Sequence, residues 1–136
     1  MQHALYLMFN GNCEEAMKFY EKALGGKITM LQRYGEAPVG SSDAYKDKIM
    51  HAIMDIMGYV VMFSDADEQR NVQFGDNFAI ALNFNSDGEL NRAFDALSTG
   101  GNVTMAVQDT FWGATFGQCT DKFGVNWMFN YDKKKD

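Results

Sequence analysis

One internal repeat constrains the fold of this chain more than any other feature. Ala4–Met30 set above Ala79–Met105, an offset of 75 without a gap, gives ten identities in 27 positions. They are Ala4/Ala79, Leu7/Leu82, Phe9/Phe84, Asn10/Asn85, Glu14/Glu89, Phe19/Phe94, Gly25/Gly100, Gly26/Gly101, Thr29/Thr104 and Met30/Met105. The differences are mostly tolerant, such as Leu5/Ile80 and Ile28/Val103. A second block, Gly58–Phe63, matches Gly124–Phe129 at an offset of 66. The first copy therefore carries nine extra residues, the difference between the two offsets. Tyr34–Lys48 supplies them. It holds the only proline, Pro38, with Gly35, Gly40, Ser41, Ser42 and Asp43, and reads as a loop.

Both copies run through the same local order. A short apolar strand opens each, Ala4–Phe9 and Phe78–Phe84. Asn10, Gly11 and Asn12, or Asn85, Ser86 and Asp87, form the turn and N-cap region. A helix follows, because Cys13, Ala16, Met17, Tyr20 and Leu24 fall on one face, as do Leu90, Ala93, Phe94 and Leu97. The Gly-Gly pair ends each helix, glycine accepting the left-handed conformation of a C-terminal cap. Second strands are expected over Lys27–Tyr34 and Asn102–Val107. Hairpins are expected over Ile49–Met57 and Tyr59–Ser64, and over Gly113–Thr120 and Val125–Asn130. The predicted fold is α+β. Two tandem βαβββ modules, about residues 3–64 and 78–131, build curved mixed sheets with helices on the outer face. A length of 136 residues suits one domain.

Composition excludes several classes of function. A net charge of −6 leaves no basic stripe for nucleic acid. The only basic run, Lys133, Lys134 and Lys135, reads as a solvated tail. Cys13 and Cys119 are too few for a disulfide framework and form no CxxC, so both read as small buried residues in a reducing compartment. No apolar stretch approaches the ~18 residues of a membrane span, and no leader pattern opens the chain. A cytoplasmic, unanchored protein is expected. There is no Ser-His-Asp order, P-loop or GxGxxG. The ten methionines read first as core filler.

The segments Tyr6–Tyr20, Lys48–His51, Gly100–Met105, Asp109–Ala114 and Thr120–Trp127 resemble the vicinal-oxygen-chelate superfamily. That superfamily holds glyoxalase I, extradiol dioxygenases, and fosfomycin- and bleomycin-resistance proteins. The closer resemblance is to its PhnB-like branch, and it spans nearly the whole chain. It implies a ligand cavity on the sheet face away from the helices, and a homodimer that builds it. Some PhnB-like proteins are labelled ubiquinone-pathway methyltransferases. The chain has no glycine-rich strand-to-helix loop for S-adenosylmethionine, so methyl transfer is not expected.

Metal-using members of the superfamily carry His, Gln or Glu ligands on the first and last strands of each copy. Aligned through Phe19 and Tyr20, through the repeat, and through Asp121–Gly124, those four positions read Leu5, Met62, Ile80 and Met128. None is a usable ligand for Mg, Mn, Fe or Zn. No cofactor is expected. A two-residue slip in register would bring in His3, leaving His3, His51 and Asp55 as an alternative ligand set.

The resemblance sets Val60, Met62 and Ser64, and by the repeat Asn126, Met128 and Asn130, towards the cavity. Leu5, Leu7 and Phe9 are expected there too. Val61, Phe63, Trp127 and Phe129 are expected to face the helices. His51 is the first choice for a ligand contact, against a structural role. Trp112, beside Asp109, reads as a cavity rim or subunit contact, or else as a cap on the core. Asp65 and Asp67 are expected in a solvated loop. Three functions follow. The first is a metal-free protein binding an unidentified small molecule at candidate pocket residues His51, Phe9, Met62, Ser64, Trp112, Asn126, Met128 and Asn130. The second is a metal-dependent lyase, isomerase or dioxygenase of the superfamily. The third is a structural module with a vestigial cavity.

Overall fold

A short apolar strand must find a partner for its backbone and a cover for one face. Both first strands solve this by pairing in parallel with the last strand of their own copy. The computed structural model describes residues 3–37 and 40–133, so Pro38, Lys134 and Lys135 lie outside the described residues. The chain divides into two compact units, Met1–Gln73 and Phe74–Asp136.

Unit 1 runs β1 (Leu5–Phe9), α1 (Cys13–Leu24), β2 (Lys27–Arg33), a 3-10 turn (Tyr34–Glu36), β3 (Ile49–Ile56) and β4 (Tyr59–Asp65). Its sheet has the order β1-β4-β3-β2. Unit 2 runs β5 (Ile80–Asn83), α2 (Asp87–Ser98), β6 (Asn102–Asp109), β7 (Ala114–Thr120) and β8 (Asn126–Asp132), in the order β5-β8-β7-β6. The two units thus share one topology, the expected βαβββ.

Register decides which face is core. In unit 1, Leu5 pairs with Val61, Leu7 with Phe63 and Phe9 with Asp65. In unit 2, Ile80 pairs with Trp127 and Leu82 with Phe129. Paired residues share a face. The repeated phenylalanines form matching stacks, Phe9 on Phe63 with ring centres 6.2 Å apart and Phe84 on Phe129 at 6.1 Å. Tyr20 of α1 closes over Phe63 at 6.1 Å, and Phe94 of α2 meets Phe129 edge-on at 5.1 Å. Each fully buried side chain of this size contributes about 1.5–3 kcal/mol.

The Gly-Gly pairs do two different jobs. Gly25 caps α1 at φ 70°, and Gly100 adopts φ 77° just past α2. The second glycine lets the chain press against a neighbouring strand. A Cβ on Gly101 would sit 2.3 Å from the Thr120 carbonyl oxygen, and one on Gly26 3.0 Å from the Met54 methyl.

Helix starts differ between the units. Ser86 caps α2, its hydroxyl accepting from the Glu89 amide at 3.1 Å. Asn12 makes no such bond for α1. Asp65 substitutes from the end of β4. One carboxylate oxygen accepts from the Gly11 and Cys13 amides at 2.8 and 2.9 Å, and the other from the Ile49 amide at 2.9 Å. The expectation that Asp65 is solvated is therefore wrong: it is 1% exposed. Around it the Tyr34–Lys48 loop is tied down. Tyr34 donates to the Asp65 carbonyl at 2.8 Å, Tyr45 donates to the Ala66 carbonyl, and Ser42 donates to Glu68 at 2.7 Å.

Asp65→Ala strands three backbone amides, two of them buried, whereas Ser86→Ala removes a single exposed cap. Urea unfolding should show Asp65→Ala destabilised by about 3 kcal/mol or more, and Ser86→Ala by about 1 kcal/mol. Equal losses would refute the bridging role of Asp65.

Candidate functional site

The sheet face away from each helix carries two rows of side chains, set by the registers. In unit 1, one row reads Met8, Ser64, His51 and Gln32 across β1, β4, β3 and β2. Met8 pairs with Ser64, and Gln32 with His51. One step beyond the Ala52–Phe63 pair sets His51 beside Ser64. The adjacent row reads Tyr6, Met62, Ile53 and Met30. The Tyr6 hydroxyl crosses between rows and lies 3.0 Å from Nδ1 of His51, with the two rings stacked at 5.7 Å. In one imidazole tautomer the hydroxyl donates, and in the other the ring does.

The same two rows exist in unit 2 with different chemistry. Asn83, Asn130, Phe116 and Gln108 form one, and Ala81, Met128, Gln118 and Met105 the other. Phe116 stands in the place of His51 and Ala81 in that of Tyr6, so these rows hold amides and apolar groups only. Asn130 donates to the Asn83 amide oxygen at 3.1 Å. A cleft of about 420 Å³ lies at one end of this face, between Asp76–Ala79 and side chains that include Gln118, Thr120, Asn126 and Met128. Its size falls within the range of small-molecule sites. Asn126 builds its wall, because its amide donates to the Gly75 and Phe78 carbonyls at 2.9 and 3.0 Å. The Thr120 hydroxyl in turn donates to Asn126 at 2.8 Å.

The structure brings His51, Met62 and Ser64 together in unit 1, and Met128 and Asn130 together in unit 2. Trp112 meets Phe116 at 6.2 Å and is 57% exposed, and Phe111 beside it is 97% exposed. Exposure of this extent does not suit a cap on the core. Asp109 is paired with Lys133 at 2.5 Å. Phe9 is a correction: with Leu5 and Leu7 it faces the helix side, and it is 0% exposed. It cannot line a pocket. Tyr6 and Met8 occupy the open face instead, and sequence reasoning missed both.

The same register corrects the ligand positions. Leu5 and Ile80 lie on the helix side, while Met62 and Met128 lie on the open side. The open-face positions beside the two methionines are Tyr6 and Ala81. Two thioethers, a phenol and a methyl do not fit a divalent oxygen-chelating ion. Among the described residues no three His, Cys, Asp or Glu side chains are grouped to hold a metal. His3 is exposed and precedes β1, and Asp55 is occupied by the Gly58 amide at 3.0 Å.

A second cleft, about 410 Å³, lies at the start of α1. Several of its charged side chains are already engaged. Arg33 holds Glu14 in a fork of 2.8 and 2.9 Å, which lowers the Glu14 pKa, and Lys48 donates to the Gly11 carbonyl at 2.8 Å.

Comparison with known proteins decides the family. Residues 1–129 match the profile of the Glyoxalase/Bleomycin resistance protein/Dioxygenase superfamily. The chain belongs to that superfamily. Protein YjdN of Escherichia coli (strain K12) is 35% identical over 140 residues, covering 96% of this chain and 95% of YjdN. The crystal structure of PA1353 from Pseudomonas aeruginosa superposes with a TM-score of 0.89 at 40% identity, over 98% of this chain and 99% of that one. The PhnB protein from Bacillus cereus gives 0.83 at 26% identity, over 96% and 99%. These relatives place the chain in the PhnB-like branch. Among the described residues no helix is long and apolar enough to cross a membrane.

Neither cysteine suits nucleophilic chemistry. Burial, with the charges of Asp65 and Glu14, pushes the Cys13 thiol far up, and burial with Asp121 pushes Cys119 up to about 12. Both thiols hold their protons more tightly folded than unfolded. Their contribution to stability is complete below the unfolded value near ~8.5 and is lost as pH rises towards about 12. Iodoacetamide at pH 8 should therefore label both thiols only after denaturation, and the unfolding midpoint should fall above pH ~9. Rapid labelling of the native protein would contradict this burial.

Proposed function

We propose that this chain is a PhnB-like small-molecule-binding protein that works without a metal at the superfamily's ligand positions. The observation behind the reading is the pair of open-face rows. They mix apolar side chains with a few directed polar groups, as binding sites do, and offer no chelating set. His51, Met62 and Ser64 are the contacts in unit 1. Met128 and Asn130 are those in unit 2, with Trp112 at the rim. A second copy of the chain supplies cover, since Val103, Met105, Phe111 and Trp112 leave a large apolar area exposed. The two unpaired, buried thiols suit a reducing, cytoplasmic setting.

A second reading, acid–base catalysis on the unit 1 face, is favoured by one observation, the Tyr6–His51 contact. It too needs no metal.

Elemental analysis and thermal shift test the central claim. Mg, Mn, Fe, Ni and Zn salts should each move the melting temperature by less than about 1 °C. An ion held at a hundred times its Kd would raise it by roughly 10 °C for a chain of this length. Stoichiometric metal or a shift of that size would overturn the metal-free reading. Native mass spectrometry of freshly purified protein should show a co-purifying small molecule and a dimer mass.

A further inference from the structure

We infer that the unit 1 open face takes an amphiphilic anion: a carboxylate or phosphate oxyanion over the Ser64–His51–Gln32 row, with a short apolar tail over Met62, Ile53 and Met30. This deepens the binding reading and rests on it.

The carrying observation is Arg70. A turn after β4, in which the Arg70 amide donates to the Asp67 carbonyl at 3.0 Å, brings its side chain back to the sheet. There Nη1 lies 3.7 Å from Sδ of Met8, the first residue of the polar row. A thioether is a weak acceptor and does not discharge a guanidinium. The nearby carboxylates are committed elsewhere. Asp67 accepts from the Gln69 amide at 3.0 Å, and Glu68 holds the Ser42 amide and hydroxyl at 3.1 and 2.7 Å. None of the ion pairs among the described residues involves Arg70. In a chain of net charge −6, this is a cation set at the end of a row of donors.

The rest of the row suits the same ligand. Ser64 and Gln32 offer donors to an oxyanion, and the Tyr6 contact engages Nδ1 of His51, so that a ligand would meet Nε2. The neighbouring row is apolar except for the Tyr6 hydroxyl, which sets the two ends of the ligand. Unit 2 has neither imidazole nor cation in its two rows, so the anion preference belongs to unit 1 alone.

The test uses the full-length protein and three probes of matched tail: octanoate, octyl phosphate and octanamide. Binding is followed by NMR shifts of the His51 imidazole and the Met30 and Met62 methyls. Octanoate, octyl phosphate or both should perturb these groups, and octanamide should bind at least about tenfold more weakly. Arg70→Gln should weaken anion binding by about tenfold or more and leave octanamide unchanged. Arg70→Lys should restore part of the loss. Which anion binds more tightly separates a carboxylate from a phosphate ligand, and either supports the inference. Octanamide binding as well as octanoate, or an Arg70→Gln variant binding anions normally, would overturn the anion inference and leave the binding reading standing. Failure of all three probes to perturb the face would overturn both for unit 1.

Discussion

The parallel pairing of first and last strands is the constraint on which the rest of each unit depends. It fixes Leu7 opposite Phe63 and Leu82 opposite Phe129, and so assigns every residue of these strands to a face. A slip of β1 by one residue would turn Leu7 and Phe9 away from the helix side, take Phe9 off its stack with Phe63 and break the core. With that register set, the helix has only one face to cover, and the opposite face is left for function. Asp65 reinforces the arrangement in unit 1. Its two oxygens reach the start of α1 and the start of β3 from the end of β4, so three chain segments meet at one carboxylate.

Much of this was legible in the sequence. The repeat gave the element order, the hairpins, the helix faces and the Gly-Gly caps, because each rests on a local pattern with its own period or its own conformational demand. Val61, Phe63, Trp127 and Phe129 fell on the expected side for the same reason. The face of β1 was not legible. Leu5–Phe9 is apolar at every position, so alternation carries no signal there, and the side is settled only by pairing with β4. One wrong face propagated. It hid Tyr6 and Met8, sent Phe9 to a pocket, and put two of the four ligand positions at Leu5 and Ile80 rather than at the open-face residues Tyr6 and Ala81.

Asp65 and Arg70 were missed for a different reason. Both sit where β4 gives way to a loop rich in polar residues, and composition there predicts solvent exposure. What distinguishes Asp65 is a set of three backbone amides gathered from distant parts of unit 1. What distinguishes Arg70 is a turn that carries it back over β1. Long-range geometry of this kind leaves no trace in the spacing of residues.

The two units also show how one backbone can hold two chemistries. Met62 and Met128 occupy matching positions, as do Met30 and Met105, so the apolar part of each open face is shared. The polar part diverges at few positions: His51 against Phe116, Tyr6 against Ala81, Ser64 against Asn130. None of these side chains packs beneath a helix, so exchanging them costs the core little. The helix-side partners, Phe9 with Phe63 and Phe84 with Phe129, keep the same residue types and nearly the same spacing. Burial restrains the one face and leaves the other free to vary, which is why the fold is read from the buried aromatics and the function has to be read from the rows that face away from them.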